Sequence, residues 1–260
     1  MTLLPEVPPS IPVNERVLQV LVHIARQGEP ISARDLAIQT QLPLSTLYRH
    51  LAPLKKWGLV QEHAQTGLYE PGPLGVQLAW GFDQHSFLMT EARQEMEHLV
   101  AQSGESVGLL VHVRGQVICL DMQDSAQALR CSFAKGRANS QLRGASAKAL
   151  LAFLPAEVQD MLIQQHLQTL ANEQPNHQSS EQAQLRDGLQ QIRGQGYAVS
   201  ESEVDHGVWG VSAPIFSARN RLEATLSLMA PVSRAAGRQQ ELIQLTLAAA
   251  ARISQKLQLG

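Results

Sequence analysis

Residues 42–60 read LPLSTLYRHLAPLKKWGLV, and this stretch decides the fold of the first part of the chain. Its leucines recur at the spacing of an amphipathic helix, at roughly 100° per residue. The inward face holds Leu47, Leu51 and Leu54, and the opposite face holds Ser45, Tyr48, Arg49, Ala52 and Lys56. Pro53 cannot donate to the Arg49 carbonyl, so Lys55 and Lys56 either lie beyond a kink or belong to the turn that begins the following hairpin. The stretch therefore predicts a helix that presents hydroxyls, an aromatic ring and cations to the outside.

Two shorter helices are predicted before this stretch, and a hairpin is predicted after it. The first helix begins near Asn14, whose side chain can cap it. The second begins where Ser32 and Asp35 stand at the spacing of a capping box. Strand-like runs on either side of residues 65–67 are typical of a small hairpin. Three helices followed by a hairpin predict a winged helix-turn-helix.

The chain has 260 residues, which is enough for two domains that each bury a core. Beyond the hairpin, helical patterns alternate with strand-like runs such as VGLLVHVRGQVICLDMQ, with a tight turn at Arg114 and Gly115. This order predicts an α/β domain around an antiparallel sheet. The predicted divisions are a flexible arm at 1–13, the winged helix-turn-helix at 14–73, a linker helix at 74–90 and the α/β domain at 91–260.

Charge is unevenly distributed along a chain whose net charge is −2. Between Ile31 and Val60, four cations stand against the single carboxylate of Asp35. A local basic patch of this kind fits site-specific DNA contact, with a solvated helical face as the alternative. In a helix-turn-helix, the start of the third helix enters the major groove, which places Leu44, Ser45, Thr46, Tyr48 and Arg49 nearest the bases. The other candidate DNA-contacting residues are Arg34, Lys55 and Lys56 of the basic patch. A helix-turn-helix that contacts protein instead of DNA is a second alternative.

Several other classes of protein do not fit the sequence. No apolar run approaches the roughly 18 residues of a membrane span, and the N-terminus lacks the features of a signal peptide, so we expect a cytoplasmic protein. Cys119 and Cys131 are too few for a disulfide framework and lack zinc-site spacing, so no metal or other cofactor is expected. The GxSxG, P-loop and HExxH motifs are absent, so no catalytic residues are assigned and an enzyme is not expected. Glu201, Glu203 and Asp205 alternate as in an exposed loop.

The combined motifs closely resemble the IclR family of bacterial transcriptional regulators. In the first domain they are ISARDLA, LPLSTLYRHLAPLKKWGLV and TGLYEPGPLGVQLA. In the second they are KGRANSQLRGASAKALLAF, QIRGQGYAVSESEVDHGVWGVSAPIF and LSLMAPVSR, in family order and spacing. The resemblance covers nearly the whole chain, from about Asn14 to Leu257. It implies a GAF-like, effector-binding domain at 91–260, homodimers that pair through the N-terminal domains, and dimers of dimers in many members.

The resemblance also implies a small-molecule pocket in the second domain. Carried over by position, its candidate residues are Gly136, Leu142, Arg143, Gly144, Ala145, Ser200, Gly210, Ser227 and Met229. The chain departs from the family's common Pro-Leu-His-x-Thr-Ala-x-Gly-Lys run, because Ser140, Gln141, Leu142, Gly144 and Ala147 replace Pro, Leu, His, Thr and Gly. A frequent Asp is Ser200, and a frequent Cys is Gly210. These changes predict a larger pocket with fewer donors, suited to a ligand bulkier or more apolar than a two- or three-carbon acid.

The implied function is a DNA-binding transcriptional regulator whose binding to double-stranded operator DNA is modulated by a small-molecule effector. The alternative is a small-molecule sensory module that acts through protein contacts. Within the pocket strand, Trp209 and Gly210 point to opposite faces of the sheet. We expect Gly210 to face the cavity and Trp209 to face the helices or a partner subunit.

Overall fold

The computed structural model describes residues 12, 15–113, 115–136, 138–139, 142–173 and 178–259. The chain divides into two compact units, one ending at His85 and the other beginning at Ser86. Most of the predicted arm at 1–13 lies outside the described residues, as do the predicted cap Asn14 and the turn residue Arg114. Among the helices of the described ranges, none combines the length and apolar character needed to cross a membrane.

The first unit is a winged helix-turn-helix followed by one further helix, which confirms the predicted fold. Its helices are α1 (Arg16–Gln27), α2 (Ala33–Thr40), α3 (Leu44–Lys56) and α4 (Leu74–His85), and its strands are β1 (Val60–Glu62) and β2 (Tyr69–Pro71). The two strands pair antiparallel, and Ile31 adds a bridge to Tyr69 on the other side of the hairpin. The hairpin is therefore tied to the segment that precedes α2.

Local chemistry explains where the helices of this unit begin. The Ser32 side chain accepts a hydrogen bond from the Asp35 N–H at 3.1 Å and donates to the Asp35 carboxylate at 2.6 Å, as the capping-box spacing predicts. Pro43 is the residue immediately before α3. Its carbonyl accepts hydrogen bonds from the N–H groups of Thr46 and Leu47, both at 2.9 Å. The residue thus starts the helix from the N-cap position.

Helix α3 runs without a break through Pro53, so Lys55 and Lys56 form its last turn. The proline lies on the exposed side, three residues before the end of the helix. The inward face packs into one apolar cluster. Its buried members are Val20, Ile24, Ile31, Ala33, Leu36, Leu47, Leu51, Leu54, Val60 and Tyr69.

The segment predicted as a linker helix at 74–90 contains two helices. Helix α4 ends at His85, and α5 (Phe87–Ser103) begins after Ser86, which has extended backbone angles. The Ser86 side chain accepts a hydrogen bond from the Met89 N–H at 3.4 Å and so caps the new helix. The helical pattern is continuous in sequence, but the capping serine divides it.

The second unit is an α/β domain around an antiparallel sheet, again as predicted. Its remaining helices are α6 (Ala145–Phe153), α7 (Ala156–Glu173), α8 (Gln178–Gln195), α9 (Val232–Ala235) and α10 (Gln239–Leu259). Its strands are β3 (Ser106–Val113), β4 (Gln116–Gln123), β5 (Ala138–Asn139), β6 (Ala198–Glu201), β7 (Val208–Phe216) and β8 (Leu222–Pro231). The strand order is β5-β4-β3-β8-β7-β6, and every neighbouring pair is antiparallel.

The two faces of this sheet serve different purposes. On one face, Trp209 and its neighbours at alternate positions pack with α5 and α10 in the largest apolar cluster of the described chain. On the other face, a β carbon added to Gly210 would lie 3.5 Å from the Ser200 hydroxyl and 3.9 Å from the Ala145 side chain of α6. The predicted alternation of Trp209 and Gly210 is therefore present. The face beneath α6 is the one that carries a cavity.

Candidate DNA-binding surface and ligand cavity

The outward face of α3 is a continuous polar surface. Ser45, Tyr48, Arg49, Ala52 and Lys56 are all exposed, whereas the three leucines of the opposite face are buried. Among the other predicted contact residues, Leu44 is exposed and Thr46 is half-buried in the first turn of the helix. The face is thus available along the whole length of α3.

The cations near this face differ in how they are held. Arg34 on α2 and Arg49 on α3 make no hydrogen bond or ion pair with any residue that the structure describes. Lys56 lies over the Trp57 ring, with 5.9 Å between its Nζ and the ring centroid. Lys55 instead forms an ion pair with Glu62 of the wing and lies 5.9 Å from the centre of the Tyr69 ring. The predicted DNA contact by Lys55 therefore competes with an internal partner.

The contact between Lys55 and the wing also alters two ionisable groups. The hydrogen bond from Lys55 is the main reason that the pKa of Glu62 is lowered. Burial, with the nearby Glu62 charge, raises the pKa of Tyr69 to about 12. The three residues join the last turn of α3 to both strands of the hairpin, so they fix the wing relative to the helix.

His50 is the one residue of α3 whose polar atom is buried without a described hydrogen-bond partner. Burial lowers the pKa of His50, and the charges of Arg49 and Arg16 lower it further. The imidazole is therefore neutral at pH 7, and the positive charge of α3 comes from Arg49, Lys55 and Lys56.

A cavity of about 810 Å³ lies between α6 and the sheet of the second unit. Seven of the predicted pocket residues line it: Arg143, Gly144, Ala145, Ser200, Gly210, Ser227 and Met229. Gly136 and Leu142 do not. Gly136 is exposed and its N–H donates to the Cys119 carbonyl at 2.8 Å, while Leu142 packs with the apolar cluster between α6 and α8. The structure thus brings together the predicted residues of the strands and of the start of α6, but Gly136 and Leu142 lie outside the cavity.

Three buried hydroxyls form a cluster on the wall of the cavity, and we call Ser146, Ser212 and Ser227 the serine cluster. The oxygens of Ser212 and Ser227 are 2.7 Å apart, those of Ser146 and Ser227 are 3.0 Å apart, and Ser212 donates to Ser146 at 3.4 Å. Only Ser227 was predicted. Ser212 and Ser227 stand 66 and 81 residues after Ser146 in the chain, so no local sequence pattern marks the three as a group.

Helix α6 begins at the cavity, and its first N–H groups have two side-chain acceptors. The Glu203 carboxylate accepts from the Gly144 N–H at 3.1 Å, and the Ser200 hydroxyl accepts from the Ala145 N–H at 3.0 Å. The Glu203 carboxylate also accepts a hydrogen bond from the Lys148 ammonium group at 2.6 Å, and the Glu203 main-chain carbonyl accepts one from Arg143. Glu203 was predicted to lie in an exposed loop, and the structure shows that this loop closes one side of the cavity.

Of the other charged residues that line the cavity, Asp205 stands on the loop of Glu203, and Arg130 stands on the loop around residues 129–133. Arg130 pairs with Asp124 at 3.3 Å. Arg234 donates to the Leu129 carbonyl at 2.8 Å and grips the buried Glu105 carboxylate at 2.7 and 2.6 Å, which anchors the loop. Cys131 also lines the cavity, and burial raises the pKa of its thiol. In the described ranges, no three His, Cys, Asp or Glu side chains are grouped to hold a metal ion.

Comparison with known proteins gives matches along nearly the whole chain. The IclR helix-turn-helix domain matches residues 14–64, and the family described as bacterial transcriptional regulator IclR C-terminal matches residues 84–255. The HTH-type transcriptional regulator BhcR of Paracoccus denitrificans is 26% identical over 221 residues, covering 85% of this chain and 77% of that protein.

Solved structures share the fold at lower identity. An IclR family transcriptional regulator from Brucella abortus has a TM-score of 0.79 at 18% identity, covering 96% of this chain and 94% of the other. An IclR homologue from Microbacterium hydrocarbonoxydans, solved in complex with 4-hydroxybenzoate, has a TM-score of 0.70 at 20% identity, covering 96% and 100%. Because the two family matches together span most of the chain, this protein belongs to the IclR family of bacterial transcriptional regulators.

Proposed function

We propose that the protein binds an operator in double-stranded DNA through α3 and that a small organic molecule in the cavity of the second unit modulates this binding. The observation that carries the proposal is the outward face of α3 on a winged helix-turn-helix, where hydroxyls, a tyrosine and an arginine with no ion-pair partner among the described residues are all exposed. An α-helix fits the major groove of DNA, where such side chains reach base edges and phosphates.

The residues of this face have distinct expected roles. Arg49 is long enough to grip a guanine edge or a phosphate through two hydrogen bonds. Ser45 and Tyr48 supply hydroxyls in the N-terminal half of the helix, the part that enters the groove in helix-turn-helix proteins. Arg34 and Lys56 contribute charge toward the phosphates, which position the protein without reading sequence.

We propose a homodimer, paired through α4, as the DNA-binding form. Helix α4 has no buried residue in the described chain, although it carries Val76 and Trp80 with 74% and 63% of their surfaces exposed. Leu78 and Phe82 are exposed too, and at 100° per residue they form a second apolar stripe on the other side of the helix. Exposed apolar surface of this extent is typical of a contact with another protein chain. A second copy is the proposed occupant, because two copies of α3 would match the two halves of a near-palindromic operator. A dimer of dimers is a further proposal.

The ligand role rests on the cavity. Its volume of about 810 Å³ lies in the range of pockets for organic ligands, and is well above what a two- or three-carbon acid fills. The homologue that holds 4-hydroxybenzoate supports a small organic molecule as the ligand. The ligand changes operator affinity only by its differential affinity for two arrangements of the protein, typically about 1 to 3 kcal/mol.

The cavity is proposed to bind without catalysing a reaction. The hydroxyls of the serine cluster bond to one another, and within the described residues no histidine or carboxylate accepts a proton from any of them. A serine needs an adjacent base to become a nucleophile. The observation therefore favours a sensor over an enzyme.

The test is selection of bound duplexes from a random pool, followed by affinity measurement for the wild type and two variants. Arg49→Ala should weaken binding to the selected duplex by about 5- to 150-fold, the worth of one bidentate contact. Arg186→Ala, which removes an exposed arginine paired with Asp160 in the second unit, serves as the matched control and should leave affinity unchanged. Binding that tolerates high salt and ignores Arg49→Ala would favour the alternative of a protein-contact module.

A further inference from the structure

Among the residues that the structure describes, the cavity wall built by the sheet and α6 contains no ionisable side chain. Its polar side chains are the serine cluster and Ser200, whose hydroxyl already accepts from the Ala145 N–H, and its other members include Gly210, Leu228 and Met229. Every ionisable residue that lines the cavity stands on a connecting loop, as Arg143 and Glu203 do. A ligand seated against the wall therefore meets hydroxyls and apolar surface, with charges only at the rim.

The cations around this rim already have partners. Arg130 pairs with Asp124, Lys148 with the Glu203 carboxylate, and Arg143 with the Glu203 carbonyl. Asp205 also lines the cavity. Among the described residues of the lining, Arg130 and Arg143 thus stand against Glu203 and Asp205, and an entering anion would gain no net attraction from the rim.

The start of α6 is compensated as well. The N-terminus of a helix carries a partial positive charge that attracts anions. Here the Glu203 carboxylate accepts the Gly144 N–H at 3.1 Å and so supplies a negative charge from within the chain. An anionic ligand near the first turn of α6 would meet this carboxylate as a like charge, after losing its own hydration.

The serine cluster suits a neutral polar group. A serine hydroxyl can donate or accept, and its proton rotates to suit the partner. In the ring of Ser146, Ser212 and Ser227, rotation of the hydroxyls offers either a donor or an acceptor to a ligand without moving a heavy atom. Alcohols, phenols, carbonyls and amides can therefore each find a hydrogen-bond partner in the cluster.

We propose that the cavity selects a neutral amphipathic ligand, bearing a hydroxyl, carbonyl or amide group, over the corresponding carboxylate, and that Glu203 is the residue that sets this preference. The inference rests on the proposed ligand-binding role of the same cavity. Removing the charge of Glu203 leaves Lys148 without its carboxylate partner. It also takes the negative charge away from the start of α6, and both changes favour an anionic ligand.

The experiment compares matched pairs of probes that differ only in charge. The first pair is 4-hydroxybenzoate and 4-hydroxybenzamide, and further pairs of naphthoic acids and naphthamides extend the size range. Dissociation constants are measured by ligand-observed NMR and calorimetry at pH 7.5 on the full chain, for the wild type, Glu203→Gln and the control Glu201→Gln. Glu201 is exposed at the end of β6 and does not line the cavity.

For the wild type, the neutral member of each pair that binds should have a dissociation constant at least about tenfold lower than that of the acid. Glu203→Gln should reduce this ratio of dissociation constants, acid over amide, by at least about tenfold. Glu201→Gln should keep the wild-type ratio. Tighter binding of the acids by the wild type would overturn the preference for neutral ligands but not the ligand-binding role of the cavity. An unchanged ratio in a folded Glu203→Gln protein would do the same. If Glu203→Gln does not fold, the relative affinities of the wild type for acid and amide decide the question. Failure of every probe to bind a folded, DNA-binding wild type would overturn the ligand role itself.

Discussion

Gly144 marks the point where the chain turns into α6, and two independent features require a glycine there. Its φ is +88°, and a β carbon at this position would lie 2.8 Å from a methyl group of Val204. The Val204 loop also carries Glu203, so a side chain at residue 144 would push on the rim of the cavity. The absence of that side chain lets the loop close against the helix.

Gly144→Ala is expected to lower the free energy of unfolding by about 1 to 3 kcal/mol, because the left-handed backbone and the contact with Val204 both become strained. Chemical denaturation of the full chain measures the change. The matched control is Gly188→Ala within α8, where a β carbon would meet nothing within 4 Å. That control should be neutral or stabilising by about 0.5 to 1 kcal/mol. Equal effects of the two substitutions would contradict this account of Gly144.

Single residues differ in how well the sequence predicts their place. The burial of Leu47, Leu51 and Leu54 follows from helical periodicity, because neighbours on one face are fixed by local geometry. The pairing of Glu203 with Lys148 joins residues 55 positions apart, and it depends on the register of β6 against β7. Periodicity carries no information about such pairs, so Glu203 reads as a loop carboxylate until the fold is known.

At the scale of elements, the wing and α3 behave as one piece because Lys55 joins them. Lys55 pairs with Glu62, and its charge is already neutralised within the protein, whereas Lys56 has no carboxylate partner among the described residues. The two adjacent lysines should therefore contribute differently to DNA binding.

The slope of log affinity against log salt concentration separates the two lysines. Lys56→Ala should reduce the magnitude of this slope by about 1, as expected for one lost phosphate contact. Lys55→Ala should change the slope by much less, because its charge is matched by Glu62. Fluorescence anisotropy with the selected duplex, across a series of salt concentrations, gives both slopes. Equal reductions would show that Lys55 leaves Glu62 to contact phosphate.

Helices α5 and α10 are joined across the largest core by a buried carboxylate. Glu95 accepts from Arg252 at 2.8 Å and from Lys256 at 3.2 Å. Burial raises the pKa of Glu95, but the hydrogen bonds and charges of these two cations outweigh burial, and the pKa is lowered below its ordinary value of 4.5. A lowered pKa stabilises the fold above the unfolded value, and this stabilisation is lost as the pH falls through the folded value.

Glu95→Gln should lower the free energy of unfolding at pH 7 by about 1 to 3 kcal/mol, less than for a fully buried pair because both cations are partly exposed. Below pH 4.5, the wild type should lose stability more steeply than the variant, since only the wild type must protonate this carboxylate. Denaturation curves between pH 3 and pH 7 provide the comparison. Glu97→Gln, an exposed position on the same helix, should follow the wild type throughout.

The sequence predicts the order of the helices and strands better than the residues at which they begin and end. The three helices and hairpin were predicted because capping and turn residues such as Ser32 and Gly67 act locally. The break at Ser86 has a local signal too, a serine before a helical run, but the apolar pattern continues across it. The continuous pattern favoured one helix at 74–90, whereas the structure has two.

At the scale of the whole molecule, the apolar surface of α4 sets the expected assembly. Trp80→Glu should weaken the proposed dimer by at least about tenfold, because it places a charge where an aromatic side chain would be buried. Sedimentation velocity across a range of concentrations measures the change. Trp57→Glu introduces the same substitution in the same unit but outside α4, and should leave the oligomeric state unchanged. A dimer that survives Trp80→Glu would show that the contact lies elsewhere.

Selection of bound duplexes from a random pool, using the 260-residue chain, is the decisive test of whether α3 reads an operator. We expect enrichment of a two-fold symmetric site, bound by two chains, with half-sites about one helical turn or a multiple apart. Affinity for that site should fall steeply with salt and be weakened about 5- to 150-fold by Arg49→Ala. A folded protein that enriches no sequence, or whose binding ignores both salt and Arg49, would contradict the claim that α3 reads an operator.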